Sequence, residues 1–406
     1  MKRIFTTAAL LLSFLISLSL LIAASAAEVH NNNSQPNKVS TGASASGEQK
    51  DWLVIPVFYV TNRAFAGKNG AIDYAEEPNA NGLLFGVKNA IVPEPDRSPI
   101  DQKIEKKLLW QRISTKDSPS TWLNQPAPKP SFDASKCSMK DKVIGRDEIV
   151  PTIKTYMKET GNEDLVIFIH GCCSTYDRSI ERAATLAAHM HAPVLLYDWV
   201  SPKGLRMYLA NETRAEQTVD EFCRSLVNVE KLINPGNIIL IGHSMGTRFV
   251  DQALIRRFAG ASESKGLARY KEIMLCNADI DAKAFLNHAG DVLANADKTY
   301  VFVSTADETL GFSAMAHGGF NRLGAPGALL NDLVKVHGAE IVDITENASK
   351  HEIPYWIVGN LYKFGNLGPV TEFQLKQIAP HHLAIVKTGV SQAQVKKSSA
   401  IDCACR

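Results

Sequence analysis

Gly242-His243-Ser244-Met245-Gly246 is the stretch of this chain best suited to chemistry. A serine hydroxyl is a weak nucleophile and becomes useful only where a base can take its proton. It must also stand clear of its neighbours, and glycines two residues either side allow the tight turn that presents it. Upstream, residues 237–241 form an apolar, β-branched run of strand length. Downstream, Phe249, Val250, Ala253, Leu254 and Phe258 recur at helical spacing. Strand, turn and helix are the context a G-x-S-x-G nucleophile elbow requires. The helix N-terminus would also aim N–H groups at a developing anion. Chance produces the pentapeptide readily in a chain this long, so the flanking pattern is what selects Ser244 as nucleophile and Gly242 and Gly246 as elbow glycines.

A serine nucleophile needs a base and a group that orients the base. Where strands alternate with helices, such groups gather beyond the carboxyl ends of the strands. A strand over 299–304 runs into Thr305-Ala306-Asp307, which makes Asp307 the candidate orienting acid. Its rivals are the adjacent Glu308 and Asp279 beyond the preceding strand; Asp279 or Asp281 could instead cap a helix starting at Ala282. Position must choose among eleven histidines. His351 follows a strand at 340–345, read as the last, and is the candidate base. His337 precedes that strand, His317 could line the pocket, and His381 and His382 suit a solvated tail. His243, inside the elbow, suits packing or hydrogen bonding. Two N–H groups would bind the oxyanion: that of Met245, and that of Cys172 after His170-Gly171, where Gly171 permits a close backbone approach. Cys172 or Cys173 as a thiol nucleophile is the weaker alternative, since neither sits on an elbow.

These residues need a scaffold. Strand-like runs occur at 52–60, 83–87, 90–92, 165–169, 193–197, 272–276, 299–304 and 340–345. Helical patterns cover 149–159, 178–189, 213–233 and the segment from Tyr355 to Phe364. The alternation from Asp147 onward predicts a mostly parallel sheet with helices on both faces, and the earlier strands predict an antiparallel extension at its edge. Residues 98–140, rich in Pro, Ser and Lys, read as a surface excursion.

The run Val57-Phe58-Tyr59-Val60-Thr61-Asn62-Arg63 resembles the opening of a bacterial α/β-hydrolase family catalogued as a domain of unknown function (DUF900-type). Phe168-Ile169-His170-Gly171, the elbow, and Tyr300 to Leu310 resemble the same family in the same order, over roughly residues 52–365. The resemblance implies the α/β-hydrolase fold and Ser244, Asp307 and His351 as a hydrolase triad. Members usually follow His-Gly with an aromatic residue and Asn, where this chain has Cys172-Cys173. They often carry Trp-Pro-Ser where this chain has Trp199-Val200-Ser201-Pro202. Both segments border the pocket, so the departures bear on acyl preference.

The 406 residues are 45% hydrophobic and 21% charged, with a net charge of +2, which is ordinary globular composition. No basic run, zinc-spaced cysteine set or phosphate loop appears, so nucleic acid, metal and organic cofactors are not expected. Lys2-Arg3, a long apolar stretch and Ala24-Ser25-Ala26-Ala27 read as a signal peptide over 1–27, or as an uncleaved anchor. Residues 28–51 read as a disordered spacer, 52–145 as N-terminal strands and loop excursion, 146–370 as the hydrolase core and 371–406 as a tail. Seven cysteines in an exported chain permit disulfides, but the odd count leaves one over. Cys137, Cys403 and Cys405 are the better bridge formers; Cys223 and Cys276 read as buried thiols, and a bridge between the neighbours Cys172 and Cys173 would strain the backbone. The expected activity is ester hydrolysis on a small acyl substrate by an exported enzyme, with a membrane involved only if the N-terminal segment stays on. The alternatives are a non-catalytic hydrolase-like binding module and an amidase or peptidase.

Overall fold

The computed structural model describes residues 52–68, 72–93, 95, 139–259, 269–336, 338–345, 351–364 and 384–387. Among the described residues the strands in chain order are β1 (Trp52–Thr61), β2 (Arg63–Phe65), β3 (Tyr74–Pro78), β4 (Leu84–Pro93), β5 (Lys142–Ile144), β6 (Leu165–Ile169), β7 (Val194–Asp198), β8 (Ile238–His243), β9 (Tyr270–Cys276), β10 (Ala296–Val303), β11 (Ala339–Asp343) and β12 (Ala384–Lys387). The helices are α1 (Ile149–Thr160), α2 (Tyr176–Met190), α3 (Tyr208–Glu230), α4 (Gly246–Ala259), α5 (Ala282–Leu293), α6 (Glu308–Ala316), α7 (Leu330–Val334) and α8 (Tyr355–Phe364).

The central strands are apolar at nearly every position because both faces of their sheet are covered. Every residue of β6, β7 and β8 is buried. Side chains alternate across a strand, and the core divides accordingly. Leu165, Ile167, Ile169, Leu240 and Val301 pack on one face with residues of α1, α3, α4 and α5. Val166, Phe168, Ile241 and Phe302 pack on the other with residues of α2 and α8. A continuous apolar strand between two helical layers is what a buried parallel sheet demands. Truncating a core side chain such as the fully buried Phe168 to alanine should cost about 3–5 kcal/mol.

The large sheet runs β12-β11-β10-β9-β8-β6-β7-β1-β4-β5. Its seven strands from β11 to β1 are parallel; β12, β4 and β5 join antiparallel. The expected mostly parallel sheet with an antiparallel N-terminal extension is therefore the architecture. β2 and β3 form a small sheet of their own.

Two expectations need correction. The strand candidates at 83–87 and 90–92 are one strand, because an unbroken ladder from Trp52↔Pro93 to Thr61↔Leu84 carries β4 through the polar Lys88-Asn89. The strand ending near Thr345 is not the last either: β12 pairs with β11 from within the stretch read as a tail. The signal segment 1–27, the spacer, nearly all of the 98–140 excursion, Cys137, Cys403, Cys405, His337, His381 and His382 lie outside the described residues. No helix among the described residues is long and apolar enough to cross a membrane.

Candidate active site

Strand β8 delivers His243 and Ser244 to the carboxyl edge of the sheet, and α4 begins two residues later. Ser244 has φ +53°, a left-handed conformation that costs a non-glycine residue on the order of 1–3 kcal/mol. The surroundings hold it there. Its N–H donates to the Cys276 carbonyl at 2.9 Å, at the end of β9, and its carbonyl accepts from the Thr247 N–H and hydroxyl at 3.0 and 2.6 Å. Gly246 is required because a Cβ there would lie 2.5 Å from the His170 carbonyl oxygen, and Gly242 because a Cβ would lie 2.8 Å from Thr247 Cα.

His351 comes from the loop before α8, and Asp307 caps α6. The His351 ring bridges the other two residues: Nε2 lies 2.7 Å from Ser244 Oγ and Nδ1 2.7 Å from Asp307 Oδ2. A carboxylate only accepts, so Nδ1 carries the proton and Nε2 accepts from the serine hydroxyl. Asp307 also accepts from the Leu310 N–H at 3.0 Å and from Asn277 Nδ2 at 2.9 Å. Burial pushes its carboxyl up, but the hydrogen bonds from His351, Leu310 and Asn277 leave it below the usual carboxylate range. The structure thus brings Ser244, His351 and Asp307 into one chain of hydrogen bonds.

The turn after β6 closes on the same serine. A Cβ on Gly171 would stand 2.7 Å from Ser244 Cβ and 3.1 Å from His243 Nδ1. Only a bare backbone fits, and Cys172 and Met245 flank this contact on the two segments. His243 is buried against it, its ring centroid 5.1 Å from that of His351, with no hydrogen-bond partner for either ring nitrogen among the described residues. Burial, helped by the charge of Arg182, pushes its pKa well down, so it sits there neutral.

The rival residues are engaged elsewhere. Asp279 Oδ1 accepts from Ser313 Oγ at 2.6 Å and Arg322 Nε at 2.8 Å; its Oδ2 accepts from the Tyr208 hydroxyl and faces Arg248 Nη2 at 3.6 Å. Asp281 caps α5 by accepting from the Ala284 N–H. Glu308 is exposed. His317 bonds the Ser313 carbonyl and Glu212, each at 2.7 Å. It does line a cleft, of about 650 Å³ between α3, α4 and α5, but Ser244, His351 and Asp307 are not part of that lining.

Two supports were missed in the sequence. Asn277, at φ +47°, holds Asp307 from the end of β9; an Asn directly after a strand, able to take the left-handed conformation, was the available signal. The other is a buried network under the Gly171 turn. Arg63 Nε donates to Asp198 Oδ2 at 2.8 Å, and its Nη2 reaches the carbonyls of Ser174 and Trp199 at 2.8 and 3.0 Å. Thr61 Oγ1 adds 2.8 Å to the same carboxylate oxygen. His170 stacks on Trp199, whose Nε1 donates to the His170 carbonyl at 2.9 Å. Burial alone would raise Asp198, yet Arg63 and His170 bring it down to about 2. Its signal was polar residues at the ends of two strands, Thr61-Asn62-Arg63 and Asp198.

Among solved structures, the chain is similar to an esterase of Pyrobaculum calidifontis at 11% identity, covering 53% of this chain and 77% of that one, with a TM-score of 0.28. An arylesterase shows 13% identity over 50% and 75% of the two chains with a TM-score of 0.29, and an esterase/lipase from an uncultured bacterium 14% over 53% and 78% with 0.28. No curated protein matches the chain. The model of the family described as alpha/beta hydrolase of unknown function (DUF900) matches residues 146–355, from the start of the first core helix past His351, and the chain belongs to that family.

Proposed function

We propose that the protein is an exported serine hydrolase that cleaves an ester-type bond through an acyl-enzyme. The observation that carries this is the pair of 2.7 Å contacts joining Ser244 Oγ, the His351 ring and Asp307, on a serine held at φ +53°. In this reading Ser244 Oγ attacks the substrate carbonyl while His351 Nε2 takes its proton. The imidazolium then protonates the leaving alkoxide, and the acyl group remains on Ser244. Water repeats the sequence in reverse, giving up its proton to Nε2 as it attacks the acyl-enzyme. Asp307 fixes the tautomer and balances the charge of the imidazolium. The N–H groups of Met245 and Cys172 bind the oxyanion, a role supported by the Gly171 backbone packing so near Ser244 that no side chain would fit there.

A fluorophosphonate probe tests the nucleophile without knowledge of the substrate. The native protein should label and Ser244→Ala should not; equal labelling of both would overturn the reading. Export rests on Lys2-Arg3, the apolar run and the small residues near Ala27. Mass spectrometry should find a mature N-terminus within a few residues of Glu28. A chain that keeps Met1 and stays with membranes through an alkaline wash would replace export by anchoring.

A further inference from the structure

Beside the Gly171 turn two thiols face one another. Cys172 and Cys173 are both half-buried and unbridged, with Sγ atoms 3.1 Å apart. Neighbouring side chains in an extended chain point to opposite sides. Here Cys173 has φ +64°, which swings its side chain back to that of Cys172. The conformation is held from outside the pair: the Cys173 N–H donates to Ser201 Oγ at 2.5 Å, and Asn211 Nδ2 lies 3.6 Å from Cys173 Sγ. Cys223 and Cys276 have no such arrangement; one is half-buried on α3 and the other fully buried in β9.

We propose that Cys172 and Cys173 form a thiol–disulfide modification site, which takes a small-molecule disulfide as oxidant and, on closing, disables the oxyanion turn beside Ser244. The second half rests on the hydrolase reading above. Cys173 is the attacking group. The hydrogen bond it shares with Cys172 lowers its thiol against the opposing effect of burial, with help from Asn211, while the Cys172 thiol is pushed up. The Cys173 thiolate attacks one sulfur of the oxidant RSSR, forming a mixed disulfide and expelling RS⁻. Cys172, its proton passed to solvent, then attacks Cys173 Sγ and expels the second RS⁻. Two cysteine thiols lose two electrons and two protons, and RSSR becomes two RSH.

The bridge closes a ring over one peptide bond, so it re-sets ψ of Cys172 and φ of Cys173. Those torsions orient the peptide unit whose N–H holds Ser201. Adjacent Cα atoms are fixed at about 3.8 Å across a trans peptide, below the usual disulfide range of about 4.4–6.8 Å, so the bond is strained and closes only if the turn twists about those torsions. It has no slack to do so, because Gly171 already meets Ser244 closely. The same mismatch makes the bridge easy for a thiol to reduce, which makes the modification reversible.

The test uses the full mature chain, reduced and then exposed to glutathione disulfide. The peptide spanning 172–173 should lose two hydrogens without a glutathione adduct. Turnover of a short p-nitrophenyl ester should fall about 10²–10³-fold in kcat, the usual loss for one oxyanion donor, with a smaller change in KM. Dithiothreitol should restore it. Cys173→Ser should keep the reduced activity and lose the response. A lasting glutathione adduct, a closed bridge with unchanged kcat, or equal inactivation of Cys173→Ser would each overturn the proposal. A protein that closes the bridge but never turns over the ester, reduced or oxidised, would overturn the hydrolase reading and leave the thiol site standing, because the mass readout needs no turnover.

Discussion

Two buried carboxylates stand beyond the ends of neighbouring strands, Asp279 after β9 and Asp307 after β10, and their partners differ in kind. Asp279 faces two guanidiniums, from Arg322 and Arg248, along with two hydroxyls. Its main-chain carbonyl also accepts from Arg248 Nε and Arg322 Nη2. Burial would raise its pKa, but the arginines hold it down. Asp307 takes an amide, a main-chain N–H and a histidine ring. A carboxylate neutralised by arginines at rest ties three segments of chain together. In the proposed reaction, one held by neutral donors keeps its charge for the imidazolium that arises during turnover. The choice of donors, rather than burial or strand position, separates the two roles.

The largest effects should fall on the Asp307 side. Ser244→Ala and His351→Ala should each lower kcat on a p-nitrophenyl ester by on the order of 10⁶, and combining them should cost little more, because residues acting as a unit are non-additive. Multiplying losses would mean that the two act separately. Thermal melting of both variants should stay close to that of the native protein.

The comparison breaks most directly with paired substitutions. Asp307→Asn should cost on the order of 10⁴ in kcat, since the ring loses the partner that fixes its tautomer, with little change in Tm. Asp279→Asn should do the opposite. It strands Arg322 without its counter-charge and leaves Arg248 only Glu212, a loss of about 3–5 kcal/mol for a buried pair, while the folded fraction keeps kcat within severalfold. Melting curves and kcat measured on the same samples decide it. A greater kcat loss at Asp279 would transfer the orienting role to the preceding strand.

That distinction was not legible in the sequence. Both aspartates follow β-strands, and what separates them arrives from Tyr208, Arg248, Ser313 and Arg322, four segments that only the fold brings together. The elbow was legible because its signal is local: two glycines, a serine, a strand before and a helix after. The buried strands were legible from their apolar runs, whereas the length of β4 depends on its ladder with β1 and could not be read from Lys88-Asn89. The Arg63–Asp198 pair spans 135 residues of chain, and the polar strand ends that carry it do not say that they meet each other. Asp281 was readable as a cap because capping is a three-residue affair.

A smaller effect sharpens the Asp307 side further. Asn277→Gly keeps the left-handed backbone that Ala would resist, and removes only the amide that donates to Asp307. A hydrogen bond to a charged group is worth about 1.5–3 kcal/mol, so kcat should fall about 10- to 100-fold with KM nearly constant. A change in KM alone would mean that Asn277 contacts substrate and does not position the acid.

The smallest effect separates the two regions by pH. Near Ser244 two histidines are buried with depressed pKa values: His243 by burial and the charge of Arg182, and His170 by burial that outweighs the pull of Asp198. Unfolded histidine titrates near about 6.5. Below that pH the unfolded chain binds protons that folded His243 and His170 refuse, so stability is complete above it and declines as pH falls towards their folded values. The carboxylates act lower down. Asp279, Asp307 and Asp198 are all depressed when folded; their contribution is present above the unfolded value of about 3.9 and is lost as pH falls through the folded ones. Tm against pH should therefore show two declines, a shallow one starting near 6.5 and a steeper one below about 4. His243→Phe, which keeps a ring against Gly171 and removes the proton site, should flatten the first by a few degrees and leave the second. Asp279→Asn should flatten the second and leave the first. If His243→Phe leaves the upper decline untouched, His243 is not one of the groups that refuses the proton, and its neutral state beside His351 is wrong.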